Sequence, residues 1–536
     1  MITSNLGNLK KLSSNWFSIL LVAIIILGIV LRCINIDGRV YWGDEIVTSL
    51  RMSGYTTEEV VQNLSSKSSF SVLDLQEYQR PNAKNDLTTT VKGLIVEEAQ
   101  HTPIYFILAR LWIQLFNNFT NGVTAIRSFS VFISLVSFPC LYWLCCELFK
   151  SHYVGLISVA MFAVSPFNFV YAQEARPPVI WILGIIISNA LFLRCIRLNT
   201  KFDWIAYAIS ITFNLYTFLF SFLVFVGHGI YIFIIQKFKP TKLVISYLIA
   251  IILGIVGFVP WILILFSNLK TISSAIGWSS EKIGALNLLR MTLNNLRDVY
   301  FSLGDGYAYL TFILLIVIGF SLYHLINTSS SKVSYFVLIL FGMNIVSILL
   351  PDIINGGTKR SAASRYFIAS YLGLNLALAY LFTSFTSSLS SFSKHIKIFN
   401  NLVVTSLLAL GLISCISISQ SGVSFNQATY RNIDSISKSI SKYEDPLVIA
   451  NYKYTNNVIG MIGLSYKIRP NTQFQIFDNN YQKLDVSTSK SIFVYGGNND
   501  GFIETIKDTY EPQLIFDDRN NLCCSETLWY LKPRQG

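Results

Sequence analysis

Eleven times along this chain an apolar run recurs that is long enough, or nearly long enough, to cross a lipid bilayer. Such runs leave few choices. No water reaches the hydrocarbon to satisfy backbone N–H and C=O groups, so only helices and closed barrels cross it. A spanning helix needs about 20 apolar residues. The candidate spans are 16–33, 124–146, 153–171, 177–194, 203–217, 219–236, 243–266, 308–326, 333–350, 366–385 and 400–418. The sequence therefore predicts a polytopic α-helical membrane protein of about eleven spans. Charge agrees, because 52% of residues are hydrophobic and only 13% are charged, against about a quarter in soluble domains. One further apolar piece, 103–116, is short and carries Arg110. It reads as a juxtamembrane or re-entrant helix that does not cross.

Lysine and arginine in short loops set orientation. Lys10 and Lys11 place the N-terminus inside. The groups Arg194, Arg197, Lys201 and Lys237, Lys239, Lys242 mark two further inside loops, and Lys394 and Lys397 another. With eleven spans the C-terminus is outside. The expected organisation is a membrane domain over 1–420, including a first extracytoplasmic loop over 34–123 with juxtamembrane helices. A soluble extracytoplasmic α/β domain follows over 421–536. In the first loop Thr56 and Glu59 have the spacing of a helix capping box. In the C-terminal region "PLVIANY", "FQIFD", "SIFVYGG" and "QLIFDD" read as strands, and "FIETIKDTY" as a helix.

The net charge of +12 does not point to nucleic acid, since the excess lies in short loops and no basic tract or nucleic-acid motif is present. The eight cysteines show no metal-ligand spacing and no disulfide framework. "NFT" at Asn118 matches a glycosylation sequon and carries no weight. The spans are almost free of ionisable groups. His228 is the main exception and reads as a satisfied interhelical histidine. Ion-coupled transporters keep such groups near the midplane. Here they gather on the outer side instead: Asp44 and Glu45, Glu97, Glu98 and His101, Arg127, Tyr171, Gln173, Glu174 and Arg176, then Lys359, Arg360, Arg365 and Tyr366. That favours chemistry at a membrane surface. Three cations within seven residues on the outside oppose the usual bias and point to an anion such as a lipid phosphate, which arginine binds through its planar fork.

In order along the chain stand "WGDE" (42–45), "HTPIYF" (101–106), "AIRSFS" (125–130), "SPFNFVYAQEAR" (165–176), "PW" (260–261) and "SRYF" (364–367). By these residues the chain resembles the GT-C superfamily of membrane glycosyltransferases. It is most similar to bacterial family 39-like members, relatives of protein O-mannosyltransferases and of the lipid A aminoarabinose transferase. The resemblance covers about 16–385.

The resemblance implies an enzyme of the plasma (inner) membrane, with its active site extracytoplasmic. It would transfer a hexosyl or pentosyl group, with inversion, from a polyprenyl-phosphate-linked donor to a lipid, glycan or protein acceptor. The family's first-loop acid corresponds to Asp44, the general base, with Glu45 as its catalytic neighbour or as a helix N-terminal acid. Arg365, backed by Lys359 and Arg360, would bind the lipid phosphate. His101, Arg127, Tyr171, Glu174, Arg176 and Tyr366 would contact or orient substrate. Thr102, Pro178 and Phe218 depart from the family pattern, which leaves substrate contacts and any metal site open. No cofactor is assured, and divalent metal dependence stays undecided. Membrane lipids are the remaining partner class, and nucleic acid is excluded. The alternative reading is a lipid or polysaccharide transporter whose outer cations hold a headgroup.

Overall fold

The computed structural model of the chain describes residues 16–116, 122–386, 394–423, 432–478, 491–497, 499–518 and 526–534. Lys10, Lys11, Asn118 and the inside loop read at 387–393 lie outside the described residues, as do Cys523 and Cys524. The six cysteines that are described form no disulfide.

A helix stands at each of the eleven expected positions. Eight are long and apolar enough to cross a membrane, and nine if the bent pair His152–Ala163 and Pro166–Ala172 is one span. Lys201–Leu215 and Ser221–Ile235, at 15 residues each, fall short. At 1.5 Å per residue each is about 22 Å long against about 30 Å of hydrocarbon. They are separated at 216–220, around the junction of the expected spans 203–217 and 219–236. The chain is thus a polytopic helical membrane protein, with eight or nine helices of spanning length among the described residues.

By contact the chain divides into two compact units: 1–35, 98–105 and 130–419, and then 36–97, 106–129 and 420–536. This differs from a boundary at 420, because the first loop groups with the C-terminal region rather than with the spans.

In the first unit the bend of 65° between His152–Ala163 and Pro166–Ala172 has a local cause. Pro166 has no N–H for the carbonyl of Phe162. Arg32, fully buried in the last turn of helix Trp16–Cys33, donates instead to Phe162 O at 3.1 Å and also to Ala163 O. Gly28 permits the approach, since a Cβ there would lie 2.6 Å from Ala163 O. Gln173, just past the bend, donates Nε2 to the carbonyls of Leu31, Arg32 and Ile34. It thereby caps the end of the first helix, whose last carbonyls have no intrahelical partner. His228 is buried and bonded to Tyr207 Oη at 2.7 Å and Asn189 Oδ1 at 3.1 Å, the satisfied histidine expected.

The second unit is built on a six-stranded sheet in the order β1-β3-β2-β4-β6-β5. The strands are β1 Phe70–Ser71, β2 Pro446–Asn451, β3 Gln473–Phe477, β4 Ser491–Gly496, β5 Tyr510–Asp517 and β6 Thr527–Pro533. The central strands β2 and β4 pair in parallel and are buried throughout, as strands covered on both faces must be. β1 comes from the first loop and pairs antiparallel with β3, its Phe70 opposite Phe474. One core joins the two regions. Tyr41, Trp42, Ile46 and Leu50 from the loop share it with Val458, Met461, Ile462 and Phe493 from the C-terminal region. On the sheet's other face helix Asp500–Ile506 buries Phe502 and Ile503 among Leu447, Ile449 and Val494. The expected capping box is formed, with Thr56 and Glu59 satisfying each other's backbone N–H at the start of helix Thr57–Ser65.

Glu526, beside β6, is 5% exposed and accepts a hydrogen bond from Tyr495 Oη at 2.9 Å. Burial raises its carboxyl to about 7 from an ordinary 4.5. The Tyr495 bond opposes that shift and the Asp518 charge adds to it. Below the ordinary value both folded and unfolded states hold the proton, so there is no penalty. As pH rises towards 7 the unfolded chain ionises first and stability falls, by about 3 kcal/mol once the folded carboxyl has also ionised. Glu526→Gln should remove this slope. Hydrogen exchange of the β6 amides in the intact protein from pH 5 to 8, corrected for intrinsic rates, reads it directly. Equal slopes in wild type and variant would refute the assignment.

Candidate functional site

Asp44 and Glu45 lie in the first turn of helix Gly43–Ser53, where the helix dipole favours negative charge. Consecutive residues on a helix point about 100° apart, and here that separates their environments completely. Asp44 is exposed, whereas Glu45 is fully buried. Arg127, also fully buried, binds both Glu45 oxygens, at 2.8 Å through Nε and 2.7 Å through a terminal nitrogen. Its remaining donors reach the carbonyls of Ile36, Arg39 and Val40 at 2.9–3.1 Å. A guanidinium has five N–H donors, and these five contacts use them all. Tyr41 Oη bonds Ser49 Oγ at 2.5 Å and Gln79 Oε1 at 2.8 Å, while Tyr466 packs edge-on against its ring. Helix Thr455–Ser465 of the C-terminal region supports the same helix from below through Met461 and Ile462. The segment carrying Asp44 is therefore fixed by charge, by carbonyl contacts and by the shared core. Glu45 and Arg127 form that fixture, and neither presents a free face.

Glu97, at the end of helix Leu87–Glu97, binds buried Arg51 and accepts from the N–H of Thr57 at 3.0 Å, which docks that helix onto the start of helix Thr57–Ser65. Arg110, on the short helix Ile104–Phe116, donates to Met52 O at 3.0 Å and to Asn85 O. These contacts add to the rigidity of the second unit.

The first unit holds the other candidates. Glu174 and Arg176 are both buried, with 3.5 Å between the guanidinium and the carboxylate. Tyr171 is buried and feels the charges of Arg176, Glu174 and Arg365, while Ser364 bonds its hydroxyl. Four of the expected residues are thus brought together with Arg365 among them. Arg365 is half-buried and lies 5.7 Å over the Trp278 ring and 5.1 Å over the Tyr366 ring. Tyr366 in turn packs on Phe220 at 4.7 Å and on Phe218 at 6.1 Å. The aromatic Phe218, one of the departures from the family pattern, here stacks on Trp181 at 4.3 Å.

Lys359 and Arg360 differ from Arg365. Lys359 pairs with Glu281 at 2.6 Å and Arg360 with Asp352 at 2.8 Å. Asp352 is buried and also accepts from Thr358 and Ser361. Gly356 and Gly357, at φ +92° and +80°, let this loop lie against 281–284, where Ile283 N donates to Gly357 O at 3.1 Å. The cation cluster that looked like three phosphate ligands resolves into two loop ties and one arginine. Glu281 and Asp352 are the acids that sequence reasoning did not match to it. The buried neighbours Arg297 and Asp298 were also missed, because nothing in "LRDVY" marks them as interior.

The motif residues tie the first unit together. Trp261 of "PW" donates to Ala99 O at 3.1 Å, and Ile104 N of "HTPIYF" donates to Tyr216 O at 3.3 Å. Tyr105 bonds Ser130 at 3.0 Å. His101, half-exposed, lies 3.9 Å from Glu98. Pro178, the second departure, opens helix Pro178–Leu198, where a missing N–H costs nothing. Among the described residues no three His, Cys, Asp or Glu side chains gather as a metal-ligand set.

No protein-family model matches the sequence, and no curated protein is detectably similar to it. Solved structures are similar. The apo ArnT of Cupriavidus metallidurans superposes with a TM-score of 0.54 at 10% identity, over 97% of this chain and 98% of that one. The same enzyme bound to undecaprenyl phosphate gives 0.53 at 9%, over 95% and 97%. An oligosaccharyltransferase of Archaeoglobus fulgidus gives 0.46 at 11%, with the alignment spanning 85% of this chain and 64% of that one, too distant to carry weight.

Proposed function

We propose that this chain, which has the GT-C membrane fold of ArnT, is an inverting glycosyltransferase at the outer face of the plasma (inner) membrane. Its donor is a sugar on polyprenyl phosphate. The observation that carries the reading is the division of labour between adjacent acids: Asp44 is exposed on a helix that Glu45 and Arg127 lock in place. A base needs access and a fixed position, whereas a structural acid needs only its partner.

The reaction follows from those parts. An acceptor oxygen attacks the anomeric carbon opposite the phosphate. Asp44 takes the acceptor proton as the new C–O bond forms. The old bond to the phosphate oxygen breaks, and polyprenyl phosphate leaves as an anion. Arg365, which unlike Lys359 and Arg360 has no acid within ion-pairing distance among the described residues, stabilises that charge. Tyr171, Glu174, Arg176 and Tyr366 shape the surroundings of Arg365, and His101 contacts substrate. That ArnT binds undecaprenyl phosphate supports the donor class.

The test is turnover of labelled polyprenyl-phosphate sugars by the full-length protein in nanodiscs, with candidate acceptors supplied. Release of polyprenyl phosphate supports the proposal. Release should fall roughly 10²–10³-fold in Arg365→Ala, as when one transition-state donor is lost. It should change less than about tenfold in Lys359→Ala, whose ion pair is largely exposed. No release with any donor, alongside transbilayer movement of a labelled lipid, would replace the enzyme with a transporter.

A further inference from the structure

The turn at 236–241 and the groove beside it are unused by the proposed reaction. An open groove of about 440 Å³ runs between helices Ser221–Ile235 and Lys242–Ser267. Its walls are apolar, among them Val226, Ile230, Phe233, Phe238, Leu248 and Ile251. The volume is within the range of small-molecule sites. The Tyr247 hydroxyl at its edge is already satisfied by Phe225 O at 2.7 Å, so the walls offer no polar group in need of a partner.

One end of the groove is set by the turn. Lys237 and Phe238 both adopt the left-handed region, at φ 51° and 58°, which non-glycine residues rarely enter. The turn is closed by Phe238 N donating to Phe233 O at 2.8 Å. This conformation makes Phe238 part of the groove wall although it is 76% exposed. Lys237 and Lys239 flank it, and Lys242 opens the next helix. All three lysines are exposed. The nearest acids in sequence are engaged elsewhere, Asp203 with Arg194 and Glu281 with Lys359. Among the described residues none of the three lysines forms an ion pair.

Depth decides what fits. Along the first helix the groove runs from Val226 to the turn after Ile235, nine residues or about 14 Å at 1.5 Å each. That is about half of the roughly 30 Å hydrocarbon thickness. A chain held there begins at the interface and ends near the midplane. This is the reach of one acyl chain in one leaflet, and a polyprenyl chain is far longer. We infer that the groove and its three lysines form a binding site for an anionic glycerophospholipid, one acyl chain between the two helices and the phosphate-bearing headgroup at Lys237, Lys239 and Lys242.

The test uses the full-length protein in nanodiscs containing a trace of photoactivatable phosphatidylglycerol or phosphatidylcholine, with the reactive group on the acyl chain. Crosslinked peptides are mapped by mass spectrometry. In wild type, phosphatidylglycerol should label 226–251 at least about tenfold more than phosphatidylcholine, given about a fivefold gain per surface lysine. The triple variant K237Q/K239Q/K242Q should lose the preference and keep the labelling of other helices, since exposed lysines do not hold the fold. Leu248→Trp, which fills the groove, should abolish labelling of 226–251 by either lipid. Equal labelling by the two lipids in wild type would overturn the inference, as would an undiminished preference in the triple variant. Displacement of phosphatidylglycerol by equimolar undecaprenyl phosphate would reassign the groove to an isoprenoid and overturn it too.

Discussion

Asp44→Asn is expected to lower turnover by roughly 10²–10⁴-fold, the range that a positioned general base supplies. The substitution is nearly isosteric, and the side chain it alters is exposed, so neither packing nor the shared core of the second unit is touched. Thermal stability and hydrogen exchange over 36–50 should match wild type. Binding of polyprenyl phosphate should also survive, because the proposed phosphate ligand is Arg365. The loss should therefore fall on kcat rather than KM, as for a group that acts only in the transition state. Asp44→Glu offers a second reading of the same role. It keeps the base and displaces it by one methylene, so it should recover part of the activity that Asn loses. Wild-type turnover by Asp44→Asn would remove the residue from the mechanism. A loss accompanied by faster exchange over 36–50 would show a structural role instead.

The membrane helices were legible because their signal is local: a run of apolar residues is apolar whatever it packs against. The capping box at Thr56 and Glu59 was legible for the same reason. Four C-terminal strands were read from alternation and turn residues, but β6 and β1 were not. Two residues of "FS" acquire strand character only by pairing with Phe474, some 400 residues away. The same long-range pairing explains why 421–536 read as a separate domain. Its central strands look self-sufficient in sequence, while 12 of the 28 buried residues in the core on one face come from the first loop. At the candidate site, sequence named candidate residues and not their partners. Arg127 and Glu45 are separated by 82 residues, so nothing local distinguishes Glu45 from Asp44. Lys359 and Arg360 looked like ligands because Glu281 and Asp352 were not known to face them. Residue type and local pattern survive a reading of the chain; pairing does not.

That pairing makes the second large prediction. Arg127→Ala should destabilise the second unit by about 3–5 kcal/mol, the usual cost of breaking a buried ion pair by removing one partner. The lost attraction is the smaller part. Glu45 would remain fully buried with its charge uncompensated, and the carbonyls of Ile36, Arg39 and Val40 would lose their donor. Glu45→Gln should cost less, because the amide oxygen still accepts from Arg127 and the stranded guanidinium keeps the carbonyls of Ile36, Arg39 and Val40. Restoring charge balance offers the discriminating test. If the pair acts as a unit, Glu45→Gln combined with Arg127→Gln should be less destabilised than Arg127→Ala, since neither charge is then stranded. Catalysis should fail in all three variants to the extent that the 36–45 segment loosens, even though Asp44 itself is intact. Hydrogen exchange over 36–50, measured beside turnover, ties the two effects together. Fast exchange with normal turnover would mean that Asp44 needs no such fixture, whereas slow exchange with lost turnover would mean that Arg127 or Glu45 meets the substrate directly.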